Sequence, residues 1–257
     1  MRVGIYFTLG DLGLDTSVAV LQAAAAAGAS LLEVGLPFSD PLLDGPVVRA
    51  GHERALAGGD LPWSDLCGAV AELKRTCPGA RVSVMTSSQL IYTAERAALL
   101  PPVDGILVTD IAWDQPSRVP LSSPRVWFLS QGVVRSDDFP PPPEPISMVY
   151  LTRVQGVTGA GQRAAGTTAE AIARIRARTD VDVWLGFGVT SRADLDEAAA
   201  FGADGAVVGS AFVDALARQA DAFPPGLSAA ARKRALADAA GAWVERLVHA
   251  PAERRGA

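Results

Sequence analysis

The chain has 257 residues, 49% of them hydrophobic and 20% charged, with a net charge of −5. That is enough apolar sequence for one large core, and an acidic balance with no run of Lys and Arg excludes nucleic acid as a partner. The apolar stretches are short or broken by charge and glycine, so no membrane span is expected, and the opening Met1-Arg2-Val3-Gly4-Ile5-Tyr6-Phe7 lacks the apolar region of a signal peptide.

Short β-rich runs alternate with Ala-rich helical stretches. A strand is predicted over Val3–Phe7, then a helix that starts at an N-cap signal near Asp15-Thr16-Ser17 and closes over Ala23–Gly28. Leu31–Leu36 reads as a strand, Val47–Ala57 and Trp63–Arg75 as helices, and Arg81–Met85 as the next strand. Ala94–Leu100 is predicted helical, and Gly105–Thr109, Val126–Leu129 and Met148–Leu151 are predicted strands. The pattern ends with helix Thr168–Arg178, strand Val181–Leu185, helix Arg192–Phe201, strand Ala206–Val208, a short helix Ala211–Ala217 and an amphipathic helix Ser228–His249. Apolar strands alternating with helices imply a parallel sheet covered on both faces, and eight of them fit a closed (β/α)8 TIM-type barrel forming one domain over residues 1–257.

One region departs from the pattern. From Ile111 to Met148 a single strand stands without a convincing helix on either side. Pro116, Pro120, Pro124 and the run Pro140-Pro141-Pro142-Pro143-Glu144-Pro145 flank it instead. Proline inside a helix costs roughly 3 kcal/mol, so these crossovers are expected to be extended. The two cysteines, Cys67 and Cys77, fall in or beside one helical polar stretch and read as free thiols in a reducing cytosol, which makes the expected location cytoplasmic.

The segment Glu33-Val34-Gly35-Leu36-Pro37-Phe38-Ser39-Asp40-Pro41-Leu42-Leu43-Asp44-Gly45-Pro46 carries the most chemical information. Glu33 interrupts an apolar strand, where a carboxylate is costly unless it is paired or its pKa moves. A strand end facing solvent is the other reading. Asp44 fits a turn or a helix N-cap when taken alone. Taken together, the two place a pair of acids at the C-terminal mouth where barrel active sites lie, and separated pKa values would let them divide acid and base work.

Gly156-Val157-Thr158-Gly159, Gly186-Phe187-Gly188 and Gly209-Ser210 each follow one of the last three strands. Glycines let backbone N–H groups approach an anion, and a helix N-terminus adds a favourable dipole, so these loops are candidate phosphate sites. Tight turns without a ligand are the alternative.

The scarce residues exclude other chemistry. The only lysines, Lys74 and Lys233, fall on outer helices, away from any Schiff-base position. The only histidines, His52 and His249, are isolated and read as surface or helix-packing residues, so neither a metal site nor a Ser-His-Asp set is expected. Thr8-Leu9-Gly10-Asp11 after the first strand is no dinucleotide fingerprint. Cofactor-free carboxylate catalysis on a phosphate ester remains, with no metal.

Phe7-Thr8-Leu9-Gly10-Asp11, Glu33–Pro46, Tyr150, Gly156–Gly159, Gly186–Gly188 and Gly209-Ser210 resemble, in order and over most of the chain, the alpha subunit of tryptophan synthase. The resemblance implies a (β/α)8 barrel that cleaves indole-3-glycerol phosphate to indole and glyceraldehyde 3-phosphate without a cofactor. It implies Glu33 as the acid–base residue that protonates the leaving ring carbon, and Asp44 as the acceptor on the ring-nitrogen side. It also implies Tyr150 beside the carboxylate, Gly159, Gly188, Gly209 and Ser210 on the phosphate, Thr158 on a closing loop, and Tyr6, Thr86, Thr109 and Phe187 against the substrate.

Departures from the family pattern fall on the pocket walls. Tyr6 replaces a Phe, Thr86 a Tyr, Thr109 a small residue and Val154 an Arg. The chain also begins at the first strand, and its helices around the fifth strand are reduced. These changes make indole less secure than the retro-aldol class. They also keep open two alternatives, an isomerase of a phosphorylated sugar or amine, and a non-catalytic partner of a beta-like subunit. The loop Pro37–Asp44 touches the beta subunit in that family, so the resemblance allows a beta-like partner. Lost helices point to self-association if they expose sheet.

Overall fold

The computed structural model describes residues 1–41, 44–111, 121–136, 139, 145–152, 165–186 and 188–249. In chain order the elements are β1 (Arg2–Thr8), α1 (Leu14–Ala26), β2 (Leu31–Gly35), α2 (Pro46–Leu56), α3 (Trp63–Thr76), β3 (Arg81–Thr86), α4 (Ala94–Leu99), β4 (Gly105–Val108) and β5 (Arg125–Ser130). They continue with α5 (Gln131–Val134), β6 (Ile146–Thr152), α6 (Ala165–Arg176), β7 (Val183–Gly186), α7 (Arg192–Ala200), β8 (Gly205–Val208), α8 (Ser210–Asp221) and α9 (Ala229–His249). All strand pairs are parallel and β1 pairs with both β2 and β8, which closes the barrel. Closure leaves no sheet edge among the described strands.

The strands read as apolar runs because both their faces are covered. Ile5, Phe7, Leu32, Val34, Val82 and Val84 are buried and face the helix layer. Residues one position away point into the barrel, since side chains alternate along a strand. The N-terminal end of the barrel is held by charge. Asp182 receives Arg2 at 2.7 Å and Arg81 at 3.1 Å, and Asp204 pairs with Arg176.

Two local expectations change. Helix α1 starts at Leu14 with Gly13 as its N-cap, not at Asp15-Thr16-Ser17. Ser17 instead ties the preceding turn, accepting from the Gly10 N–H at 3.0 Å and donating to the Leu14 carbonyl at 2.7 Å. After β5, one helical turn, α5, stands where no convincing helix was expected. Its Ser130 N-cap accepts from the Val133 N–H, so a capping hydroxyl suffices for a reduced crossover. The seam before it is sparse. Among the described residues β4 and β5 share one register position, Ile106↔Arg125, and the pairing of β5 with β6 shifts register between Arg125 and Val126. Residues 112–120 and 140–144 lie outside the described residues, and with them most of the proline-rich stretches.

Helix α8 is longer than expected, running over Ser210–Asp221 and not only Ala211–Ala217, with Phe212, Val213 and Leu216 as its buried face. Cys67 and Cys77 are buried free thiols, and burial raises the pKa of both. No described helix is long and apolar enough to cross a membrane.

Candidate active site

A cavity of about 140 Å³ opens at the C-terminal mouth of the barrel. Its apolar wall comes from Met85, Leu107, Phe128, Val189 and Val207, and its polar groups from Tyr6, Glu33, Asp44, Tyr150 and Thr190. Strand alternation places these side chains: Tyr6 is in register with Glu33, and Gly35 with Met85, so each strand offers an inward residue at the same level. Among the described residues that line the cavity there is no Lys or Arg, and no described cluster of His, Cys, Asp and Glu could hold a metal ion.

Glu33 is buried, not turned to solvent. Burial pushes its pKa up to about 8, against the lowering effect of the Tyr150 hydroxyl, with the Asp44 charge adding to the rise. The Tyr150 O–H donates to Glu33 Oε2 at 3.4 Å. Asp44 is also buried, and burial raises it to about 7, opposed by Arg49. Of the two readings of its local sequence, the turn holds, since the Asp44 N–H donates to the Pro41 carbonyl, and the N-cap does not, since Gly45 is the extended N-cap of α2 with Pro46 at the first helical position. Burial thus favours the protonated form of both acids, and more strongly at Glu33 than at Asp44.

Glycines make room for the two tyrosines. A Cβ on Gly186 would fall 1.9 Å from the Tyr150 ring, and one on Gly35 would fall 2.5 Å from the Tyr6 hydroxyl. No other residue could stand there without moving the ring. Phe128 packs against Tyr150 with centroids 5.9 Å apart.

The far end of the cavity is formed by Gly188, Val189 and Thr190 after β7, and by Gly209, Ser210 and Ala211 at the start of α8. The two helix starts there differ. At α7, Asp194 Oδ2 already accepts from the N–H and hydroxyl of both Thr190 and Ser191, at 2.9–3.0 Å, so an internal carboxylate fills that N-terminus. At α8 the N-cap is Gly209 and no side chain caps the helix. The N–H groups at the start of α8 and the positive end of its dipole thus face the cavity without a side-chain cap.

Other expected site residues separate into three groups. Tyr6, Tyr150, Gly188, Gly209 and Ser210 line the cavity. Thr86 and Thr109 do not. Met85 and Leu107 hold the inward positions of β3 and β4, Thr86 donates to the Ser87 carbonyl, and Thr109 to that of Thr86. Thr158, Gly159 and Phe187, with Val154 and Gly156, lie outside the described residues.

Of the readings of His52, packing of its helix holds and the surface position does not, and the residue is not isolated. It is buried on α2, with Nε2 3.2 Å from Tyr6 Oη and 3.6 Å from Asp44 Oδ2. Burial lowers its pKa to about 4. One signal was available: Val48, His52 and Ala55 share the buried stripe of α2, the helix that begins just after Asp44.

A family model described as tryptophan synthase alpha chain matches residues 4–120 and 144–240. Among solved structures, tryptophan synthase subunit alpha from Legionella pneumophila str. Paris superposes with a TM-score of 0.75 at 21% identity, covering 96% of this chain and 90% of that one. Tryptophan synthase from Mycobacterium tuberculosis gives 0.68 at 28% identity, covering 95% and 92%. The tryptophan synthase complex from Pyrococcus furiosus gives 0.70 at 23%, covering 96% and 97%. Likeness at the lower identities speaks for the fold alone, but the family model spans Glu33, Asp44 and the start of α8: the chain belongs to the tryptophan synthase alpha chain family.

Proposed function

We propose that the protein is a cofactor-free carbon–carbon lyase that cleaves indole-3-glycerol phosphate, or a closely related aldol phosphate, into the free ring and a three-carbon aldehyde phosphate. One observation carries this reading. Two buried carboxylates with pKa values near 8 and 7 share an apolar cavity whose other end is an uncapped helix N-terminus. That arrangement suits a substrate with a flat apolar ring at one end and a phosphate at the other.

In this mechanism, protonated Glu33 gives its proton to the ring carbon that carries the side chain. Asp44 accepts the ring N–H proton as positive charge develops there. The ionised Glu33 then takes the proton of the adjacent side-chain hydroxyl. The carbon–carbon bond breaks, its electrons return to the ring, and the oxygen becomes the aldehyde carbonyl. Asp44 returns its proton to the ring nitrogen, and both acids end as they began. Tyr150 holds the Glu33 carboxylate through its O–H. Gly188, Gly209 and Ser210 would bind the phosphate through backbone N–H groups.

Incubation with indole-3-glycerol phosphate, followed by assays for free indole and for the three-carbon phosphate, tests the reading. Appearance of the phosphate without indole would point to an altered ring, and absence of both would end the lyase reading. The isomerase alternative rested on Thr86 and Thr109 as pocket walls, and neither lines the cavity. Relatives solved as tryptophan synthase and as a tryptophan synthase complex support a beta-like subunit as the partner, docking at the mouth of the barrel.

The anion site has its own test. Ser210→Asp places a carboxylate at the α8 N-terminus, where it competes for the same N–H groups and repels the substrate. A rise in KM of about tenfold or more is expected, with a smaller change in kcat. An unchanged KM would move the phosphate elsewhere.

A further inference from the structure

Helix α2 carries a histidine whose geometry fixes its proton. The Phe38 N–H donates to His52 Nδ1 at 3.2 Å, so Nδ1 is an acceptor and carries no hydrogen. A neutral ring then bears its proton on Nε2, and a doubly protonated ring could not accept that bond. The Phe38 ring stands edge-on to the imidazole, with centroids 4.9 Å apart at 68°, which fixes the ring plane. Nε2 is directed at two oxygens, Tyr6 Oη at 3.2 Å and Asp44 Oδ2 at 3.6 Å. The nearer is a hydrogen bond, and the farther is just beyond one. Tyr6 Oη has a second partner in Thr8 Oγ1 at 3.0 Å, so it does not depend on the imidazole.

We propose that His52 is a positioning residue for Asp44, a neutral imidazole whose Nε2–H rests on Tyr6 Oη while Asp44 is protonated and is shared with Asp44 Oδ2 when that carboxylate ionises and closes the 3.6 Å gap. The donor therefore favours the ionised form of Asp44 inside an otherwise apolar wall. Phe38 belongs to the same loop as Asp44, so the loop that presents the carboxylate also sets the tautomer of the group that steadies it. The titratable and charged groups that face Asp44 are Tyr6 from β1, Glu33 from β2, Tyr150 from β6, and Arg49 and His52 from α2. Arg49 also donates to the Asp44 backbone carbonyl at 3.4 Å. Tyr6, Glu33 and Tyr150 are neutral near pH 7, which leaves Arg49 and His52 to favour the anion. The catalytic consequence rests on the lyase reading, but the effect on Asp44 does not.

The test is the titration of Asp44 by carbon-13 carboxyl NMR in the wild type, His52→Asn and His52→Gln, together with nitrogen-15 shifts of His52 in the wild type. Asn keeps an acceptor for the Phe38 N–H but loses the distal donor, whereas Gln keeps a donor near the Nε2 position. Expected are a His52 proton on Nε2 between pH 6 and 8, an Asp44 midpoint about one pH unit higher in His52→Asn, and a midpoint close to wild type in His52→Gln. At pH 7 the Asn variant should then lose about fivefold in kcat/KM, since a one-unit rise leaves about a tenth of Asp44 ionised, and its ratio to wild type should return toward one by pH 9 while ionisation of Glu33 lowers both. A proton on Nδ1, an Asp44 midpoint equal in all three proteins, or equal shifts in both variants would overturn the proposal. Absence of both indole and the three-carbon phosphate from the wild type, with the Asp44 shift present in His52→Asn, would instead sink the lyase reading and leave the positioning role standing.

Discussion

Glu33→Gln is expected to lower turnover by about 10²–10⁴-fold while making the protein more stable above neutral pH. The two effects share one cause. Glu33 is buried, and its pKa is raised from 4.5 to about 8, so the folded protein holds this proton more tightly than the unfolded chain does. For a group shifted in that direction, the stability it contributes is present below about 4.5 and is lost as pH rises through about 8. Gln is neutral throughout and can still accept from the Tyr150 O–H. The variant should therefore match the wild type near pH 4.5 and gain on it from there to about pH 8, by at most about 1.4 kcal/mol per pH unit. Asp44 and His52 also titrate in or near this interval, but they are common to both proteins and largely cancel in the difference. Urea denaturation at a series of pH values, paired with the indole assay, measures both effects. An inactive variant with no pH-dependent gain would mean that Glu33 is better solvated than its position implies. An active one would remove it from the mechanism.

The strand–helix alternation was legible because parallel strands covered on both faces must be apolar, and the helices between them bear their own punctuation. Glu33 stood out for the same reason, as an acid inside a run that has no polar face to offer. That property also hid the pocket walls. Val82, Val84 and Thr86 face one side of β3 and Ser83 and Met85 the other, yet both sets are buried, so polarity alone does not say which enters the cavity. Register decides it: Gly35 pairs with Met85. His52 was hidden differently. Its partners Tyr6, Phe38 and Asp44 lie on β1 and on the loop after β2, and only the closed barrel brings α2 against them. The difference between the starts of α7 and α8 was half visible. Ser191 and Asp194 form a readable capping box, and its consequence, that α7 is already satisfied and α8 is not, needs the distances.

Gly186→Ala is the smallest substitution with a large expected effect, because the site depends on what that position lacks. The added Cβ would lie 1.9 Å from Tyr150 Cε1 and 2.3 Å from Tyr150 Oη. The ring cannot yield easily, since Phe128 packs against it and its hydroxyl is held at Glu33. Either β7 shifts, which strains its pairing with Thr152, or Tyr150 leaves its seat. We expect a loss of about 1–3 kcal/mol in stability. Turnover should fall as well, because Glu33 loses the one neighbour that lowers its pKa and is left a weaker acid. Gly209→Ala is the matched control: its nearest atom, Tyr6 Cβ, is 3.6 Å away, so its stability should stay within about 0.5 kcal/mol of the wild type. The double variant Gly186→Ala/Tyr150→Ala separates crowding from backbone strain. If the ring is the obstacle, removing it should make the double variant clearly more stable than the sum of the two single losses predicts. Strict additivity would instead assign the cost to the β7 backbone, and Tyr150 would no longer be the reason that this strand ends in glycine.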